Sequence, residues 1–492
     1  MTERNAVLLI IGAASLVRIA FAAMVGLGVD ESYIAGVSRQ FALSYFDHPP
    51  LHVWLVGGWA KLIGSENPLL LRLPFIALFA VSTWLMFRLT ALAYGDRAGL
   101  WAALALNLAP VFSLSSGSWI LPDGPLVLFA LISAWFVARV VLVEPVPLRP
   151  LTGWLAAGLA GGLALLSKYL AIFLFAGVGL FLLTSRAHRR MLGTAGPWLG
   201  LLVAGLIFAP VLTWNMTHQW ASFAFQGQRG LPAGINLNWL AQDIGGQFLY
   251  LLPWIAVPLI YVLVRALIAG PKQRAGWFFA CLAIGPIAIF ALLGFVAQVL
   301  PHWPSIGWLF AFPLLGDLLA RLERTHGSAL RWSAATTAVL LLALLGSVAS
   351  QAMTGWIGRG ATPLAATDPT LELLDWRELR PLLEARGVLQ AGMFVATASW
   401  IDAGKVNYAL GGEVPVLCLS RDARQFAFLH DESKFVGRDA IVVANATNGD
   451  WLKTSERRFQ RVEPLADIVL TRSGEPAITL RIARGVALKA RS

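Results

Sequence analysis

About eleven apolar stretches, each close to the length of one bilayer crossing, are spread over residues 1–350. They run near 6–27, 69–89, 98–114, 120–142, 151–167, 169–185, 195–213, 245–267, 276–297, 305–320 and 332–350. A backbone inside lipid has no water to bond, so such stretches must be helices. Composition agrees: of 492 residues only 13% are charged, against roughly 25% in soluble domains. A soluble multidomain enzyme and a disordered chain are both excluded. Two cysteines, Cys281 and Cys418, exclude a disulfide scaffold. The expected fold class is a polytopic α-helical membrane protein. The net charge of +11 reports topology, since Lys and Arg collect in cytoplasmic loops, and does not point to nucleic acid.

The run 151–185 is too long for one helix, and Lys168 interrupts it. A charge at the bilayer centre costs about 3 kcal/mol, so two helices meeting at Ser167, Lys168 and Tyr169 are expected, with the lysine at an interface. With the N-terminus inside, alternate loops carry Arg97, then Arg139 and Arg149, then Arg186, Arg189 and Arg190, then Arg265, Lys272 and Arg274, then Arg321, Arg324 and Arg331. The opposite loops hold Asp30, Glu31, Asp47, Glu66, Asp123 and Asp243. The asymmetry places nearly all the acidic membrane-side residues on one face, the outer one. The first span shows no small-residue cleavage site and reads as a helix, not a removable signal.

Residues 351–492 differ. Charges are frequent, no run is long enough to cross, and short β-rich segments (Met393–Ala396, Val414–Leu417, Ile441–Ala444) alternate with helix-compatible pieces. A small α/β domain is expected, and the odd helix count puts it on the outer, extracytoplasmic side. The predicted division is therefore 1–350 and 351–492, with a long outer loop over 28–68.

That loop holds Asp30-Glu31, then Tyr45-Phe46-Asp47-His48-Pro49-Pro50, then an amphipathic stretch with Trp54 and Trp59. The tryptophans read as an interfacial belt. A carboxylate pair at a membrane boundary is costly unless used or paired; the bland alternative is that Asp30 caps a helix. Asp123, in Pro122-Asp123-Gly124-Pro125, opens the fourth span and has the same two readings. Lys168 and Tyr169 reach the same face, where a lysine either snorkels or meets a phosphate. His218 and His302 lie just outside two later spans. Each reads as a solvated loop histidine or, together with Asp47 or His48, as part of a metal site.

The chain has no phosphate-binding P-loop and no dinucleotide-binding glycine motif. An enzyme working outside the cytoplasm needs a donor that arrives through the membrane, and a polyprenyl-phosphate sugar meets that need. Transfer then requires a base for the acceptor hydroxyl and cations for the leaving phosphate. The motifs named above, with Arg72-Leu73-Pro74, Pro210–Asn215, Trp220–Phe223, Phe225-Gln226 and His302-Trp303-Pro304, follow one another over residues 30–304. In that order they resemble the dolichyl-phosphate-mannose–protein mannosyltransferase type (family 39), with its aminoarabinose and galacturonosyl transferase relatives. The resemblance implies the GT-C fold, with Asp30 as the catalytic carboxylate, Glu31 beside it and Asp123 as the second acidic residue. It implies that His48, Lys168, Tyr169 and Tyr45 bind substrate. His48 departs from the lysine some relatives carry before Pro-Pro. Asp47, His218 and His302 would match a metal cluster of one relative, leaving a divalent metal optional and no other cofactor required. The implied partners are a polyprenyl-phosphate sugar, a glycolipid or protein acceptor and membrane lipid, with no nucleic acid. A flippase for lipid-linked intermediates is the alternative, and an envelope scaffold a third reading.

Overall fold

The computed structural model describes residues 2–143, 150–231, 234–358, 368–390 and 392–490; Arg149, used above for topology, lies outside them. The helices are α1 (Glu3–Met24), α2 (Val29–Val37), α3 (Leu51–Ile63), α4 (Pro68–Tyr94), α5 (Asp96–Leu108), α6 (Asp123–Val141), α7 (Pro150–Ser167) and α8 (Ile172–Thr184). They continue with α9 (Ala195–Thr217), α10 (Ala221–Gln228), α11 (Leu237–Leu251), α12 (Pro253–Ala269), α13 (Arg274–Leu293), α14 (Ser305–Thr354), α15 (Leu379–Ala385) and α16 (Trp400–Ala409).

Among the described residues, eight helices are long and apolar enough to cross a membrane. The count falls short of eleven for local reasons. The spans expected near 98–114 and 169–185 correspond to α5 and α8, each only 13 residues long. The last two expected spans are joined in α14, whose 50 residues bend at His326 (φ −128°, ψ 30°). A straight helix of that length would extend about 75 Å, more than twice the hydrocarbon core. The predicted break at Lys168 is present. α7 ends at Ser167, and Lys168 is extended (φ −155°, ψ 138°) before a short turn leads into α8.

The chain divides into two compact units. The first comprises residues 1–19, 42–52 and 72–342. Its core is a continuous apolar cluster from α4 through α14, including Phe79, Phe112, Leu131, Phe181, Phe278 and Phe310. Close helix approach is built in: a Cβ on Gly158 of α7 would lie 2.0 Å from the Gly200 carbonyl oxygen of α9, so small residues set this packing.

The second unit comprises residues 20–41, 53–71 and 343–492. It thus takes in most of the first outer loop along with the C-terminal residues, a grouping different from the linear division at 350. Its sheet contains β1 (Phe394–Thr397), β2 (Val416–Cys418), β3 (Ala440–Asn445), β4 (Phe459–Pro464), β5 (Ile468–Arg472) and β6 (Glu475–Leu488). The order is β2-β1-β3-β6-β4, with β5 also on β6. β1 runs parallel to β2 and β3, and α16 makes the crossover from β1 to β2. The β-rich runs seen in the sequence become these three strands. Their unbroken apolar character suits strands buried on both faces.

α2 packs against α16 in this unit. A Cβ on Gly404 would lie 3.0 Å from Tyr33 Cα, so the two helices approach closely here. Buried Lys405 donates to the carbonyls of Leu27 (2.6 Å), Glu372 (2.6 Å) and Leu374 (3.0 Å). These bonds anchor the turn that carries Asp30 and Glu31.

Candidate active site

In the first unit, Asp123 is the first residue of α6 and Pro122 occupies the cap position, so the carboxylate does not cap the helix. It accepts both of its bonds from Lys168 Nζ, at 2.9 and 3.0 Å. The two side chains are 8% and 10% exposed. The extended backbone at Lys168 turns its side chain back onto the start of α6, so the lysine is buried and paired, not snorkelling. A wide π-helical turn over Val111–Ser116 precedes Asp123. Arg18 holds that turn, donating to the Ser113 carbonyl (3.0 Å) and to Asn107 (2.9 Å). Such turns recur at functional sites.

Three histidines surround this pair. His302 and His52 both feel the charges of Lys168 and Asp123, and His52 also feels His48. The His48 and His52 rings meet edge to face at 5.6 Å. His52 is fully buried, and neither ring nitrogen makes a hydrogen bond of normal geometry among the described residues. Burial pushes His302 down to about 4, with Lys168 and Arg229 adding to the effect and Asp123 opposing it. Burial likewise holds His52 well below the usual imidazole value. Both rings are therefore neutral near neutral pH.

α10 supplies one wall. Tyr169 Oη and Ser222 Oγ are 2.6 Å apart, and Gln226 donates to the Asp47 carbonyl at 2.6 Å. Phe46 meets Phe225 at 4.8 Å, and the Arg229 guanidinium lies 4.6 Å above the Trp303 ring. Tyr45 is buried, and burial pushes its hydroxyl up to about 12. The motifs Tyr45–Pro50, Ser167–Tyr169, Trp220–Gln226 and His302–Pro304 thus converge although they are far apart in sequence.

The expected metal cluster does not assemble. No group of three or more His, Cys, Asp or Glu is placed to hold a metal among the described residues. His218 instead stacks flat on Trp214 at 4.1 Å, with Nδ1 2.8 Å from the Trp214 carbonyl oxygen. It closes the end of α9.

In the second unit, Asp30 and Glu31 are the second and third residues of α2. Asp30 is exposed and Glu31 buried. Glu31 Oε2 accepts the Gly28 N–H at 2.8 Å, satisfying a donor at the helix start. The adjacent carboxylates therefore occupy different environments.

His52, Ser222 and Arg229 carry no role in the sequence reading. The spacing His48-Pro49-Pro50-Leu51-His52 was the available signal for the first, but a histidine in an amphipathic stretch reads as packing. The partners of α10 were not legible at all, because its contacts bridge from 53 residues (Tyr169 with Ser222) to 179 (Asp47 with Gln226).

Residues 47–214 match the family model for dolichyl-phosphate-mannose-protein mannosyltransferase. The lipid A galacturonosyltransferase RgtD of Rhizobium johnstonii is 23% identical over 277 residues, which make up 56% of this chain and 57% of that relative. The match therefore spans little more than half of that curated relative. ArnT from Cupriavidus metallidurans bound to undecaprenyl phosphate superimposes with TM-score 0.66 at 17% identity, over 97% of both chains. Its apo form gives 0.67 at 16% identity, over 98% of both.

The chain has the GT-C fold. This GT-C likeness extends over nearly the whole chain, C-terminal sheet included. The family match covers the stretch from Asp47 to Trp214, which contains the Asp123–Lys168 pair. Family model, curated relative and fold all agree with the resemblance carried by the motifs.

Proposed function

We propose that this GT-C protein transfers a sugar from a polyprenyl-phosphate donor to an envelope acceptor on the outer face of the inner membrane. Lipid A or the lipopolysaccharide core is the leading acceptor, with protein second. One observation carries the reading: a buried Lys168–Asp123 pair, ringed by His48, His52 and His302, at the ends of apolar helices. A fold needs no such cluster for stability, since buried ion pairs contribute little net. The bound undecaprenyl phosphate of the similar ArnT supports a lipid phosphate as ligand.

The chemistry follows from donor counts. An ammonium has three protons; Asp123 takes two from Lys168, leaving one for a phosphate oxygen. Asp123 thus orients Lys168. His48, Tyr169 and Tyr45 line the donor side. Exposed Asp30 takes the proton of the acceptor hydroxyl as its oxygen attacks the anomeric carbon. The bond from that carbon to the phosphate oxygen breaks, and the charge left on the phosphate is met by Lys168. Glu31 fixes the turn that presents Asp30.

The test is twofold: mass spectrometry of envelope glycolipids with and without the gene, and purified protein in liposomes with a polyprenyl-phosphate sugar. A new sugar on a glycolipid or protein, dependent on the lipid donor, is expected. Movement of donor across the bilayer with no transfer would establish the flippase reading instead.

A further inference from the structure

A polar cavity lies in the first unit, away from the Asp123–Lys168 pair. Its volume is 290 Å³, and it is lined by Arg4, Arg88 and Arg139 with Asp96, Trp135, Ala91 and Leu92. The three arginines come from three helices. Arg4 is the second residue of α1, Arg139 is in the last turn of α6, and Arg88 lies six residues before the end of α4. Six helical residues place Arg88 about 9 Å inside the helix end, the depth at which a lipid headgroup meets its acyl chains.

Ordinary topology arginines point separately into water or pair with nearby acids. Here Glu3, next to Arg4, faces Arg97 at 3.9 Å, and Arg97 also pairs with Glu323. Asp96 is the one acid among the described lining residues. None of Arg4, Arg88 and Arg139 forms an ion pair among the described residues, and Asp96 pairs with none of them. Arg139 is held by its ring neighbour instead, its guanidinium 4.7 Å above Trp135. Three cations and one carboxylate therefore share one cavity without internal neutralisation. Guanidiniums favour phosphate because their planar fork gives paired bonds to two oxygens. The cavity is at the small end of ligand pockets, which span about 300–1,000 Å³, enough for a phosphate and its glycerol ester but not for a lipid-linked sugar.

We propose that this cavity binds a phosphate ester, and that its source is the headgroup of an anionic phospholipid. Basic pockets between membrane helices on the cytoplasmic side commonly take such headgroups, and the loop charges put these three helix ends on that side. The site is separate from the transfer chemistry and does not depend on it.

The experiment is native mass spectrometry of the full-length protein released from detergent. The probes are phosphatidylglycerol, phosphatidylcholine and inorganic phosphate, applied to the wild type, an Arg88→Gln/Arg139→Gln variant and an Arg190→Gln control. Expected is retention of phosphatidylglycerol over phosphatidylcholine, weakened about tenfold or more in the double variant and unchanged in the control. Phosphate that fails to displace the lipid fixes the source as the headgroup. Phosphate that binds alone, with the same arginine dependence, keeps the site but makes the ligand soluble. Equal retention of both lipids by all three proteins, with no phosphate binding, overturns the proposal. Arg4→Gln, a change at the exposed start of α1, gives the same reading if the double variant does not fold.

Discussion

Lys168 Nζ lies 2.9 Å from one carboxylate oxygen of Asp123 and 3.0 Å from the other, so the charge of each is neutralised by the other in a buried setting. Removing one partner strands the second, at a cost of about 3–5 kcal/mol. Lys168→Ala and Asp123→Leu should each lower thermal stability strongly. Lys168→Met combined with Asp123→Leu should recover much of it while losing use of the lipid donor. Lys168→Arg should keep partial activity, since the charge remains but the geometry changes. Unfolding in detergent and donor-dependent turnover separate the two roles. If the double variant still used the lipid donor normally, the pair would be structural only.

Asp30 and Glu31 should respond differently to loss of charge. Asp30→Asn should abolish transfer with unfolding unchanged, as expected when a base worth typically 10²–10⁴-fold is removed. Glu31→Gln weakens the bond to the Gly28 N–H and should lower stability by about 1 kcal/mol. Near-normal turnover by folded Asp30→Asn protein would remove Asp30 from the reaction.

His52 makes stability depend on pH. Burial, with the charges of His48 and Lys168, holds its pKa well below the usual value against the pull of Asp123. The unfolded ring takes up a proton below about pH 6.5, while the folded one stays neutral. The unfolded state then binds more protons, so this contribution is complete above about pH 6.5 and is lost progressively as pH falls below it. Unfolding at about pH 7.5 and about pH 5.5 should show a smaller difference in His52→Leu than in the wild type. An identical pH dependence in both proteins would contradict the assignment.

Topology is open to direct measurement. Reporter tags at Arg189 and Lys272 should read cytoplasm, and tags at Gly64 and Gly449 the outer side. The basis is the alternation of Arg-rich loops. A cytoplasmic signal at Gly449 would place the C-terminal sheet on the side opposite to that expected.

Hydropathy and local pattern along the chain determined the membrane class, the positions of most spans, the break at Lys168 and the strand-forming runs of the C-terminal sheet. Those properties rest on how some twenty consecutive residues meet lipid or water, which a linear reading contains. The order of motifs was enough to point to the GT-C type. Which side chains meet was decided by the tertiary structure. Lys168 pairs with a carboxylate 45 residues away, and α2 lies on α16, where Lys405 bonds to Leu27 across 378 residues. Such pairings depend on which helices become neighbours and on how closely their glycines let them approach. The same packing left His218 stacked on Trp214 where a metal ligand was expected, and buried His52 within reach of the Asp123 and Lys168 charges. A sequence states which groups are available; their partners are fixed only when the helices close around them, because a side-chain interaction acts over a few ångströms of space and not along the chain.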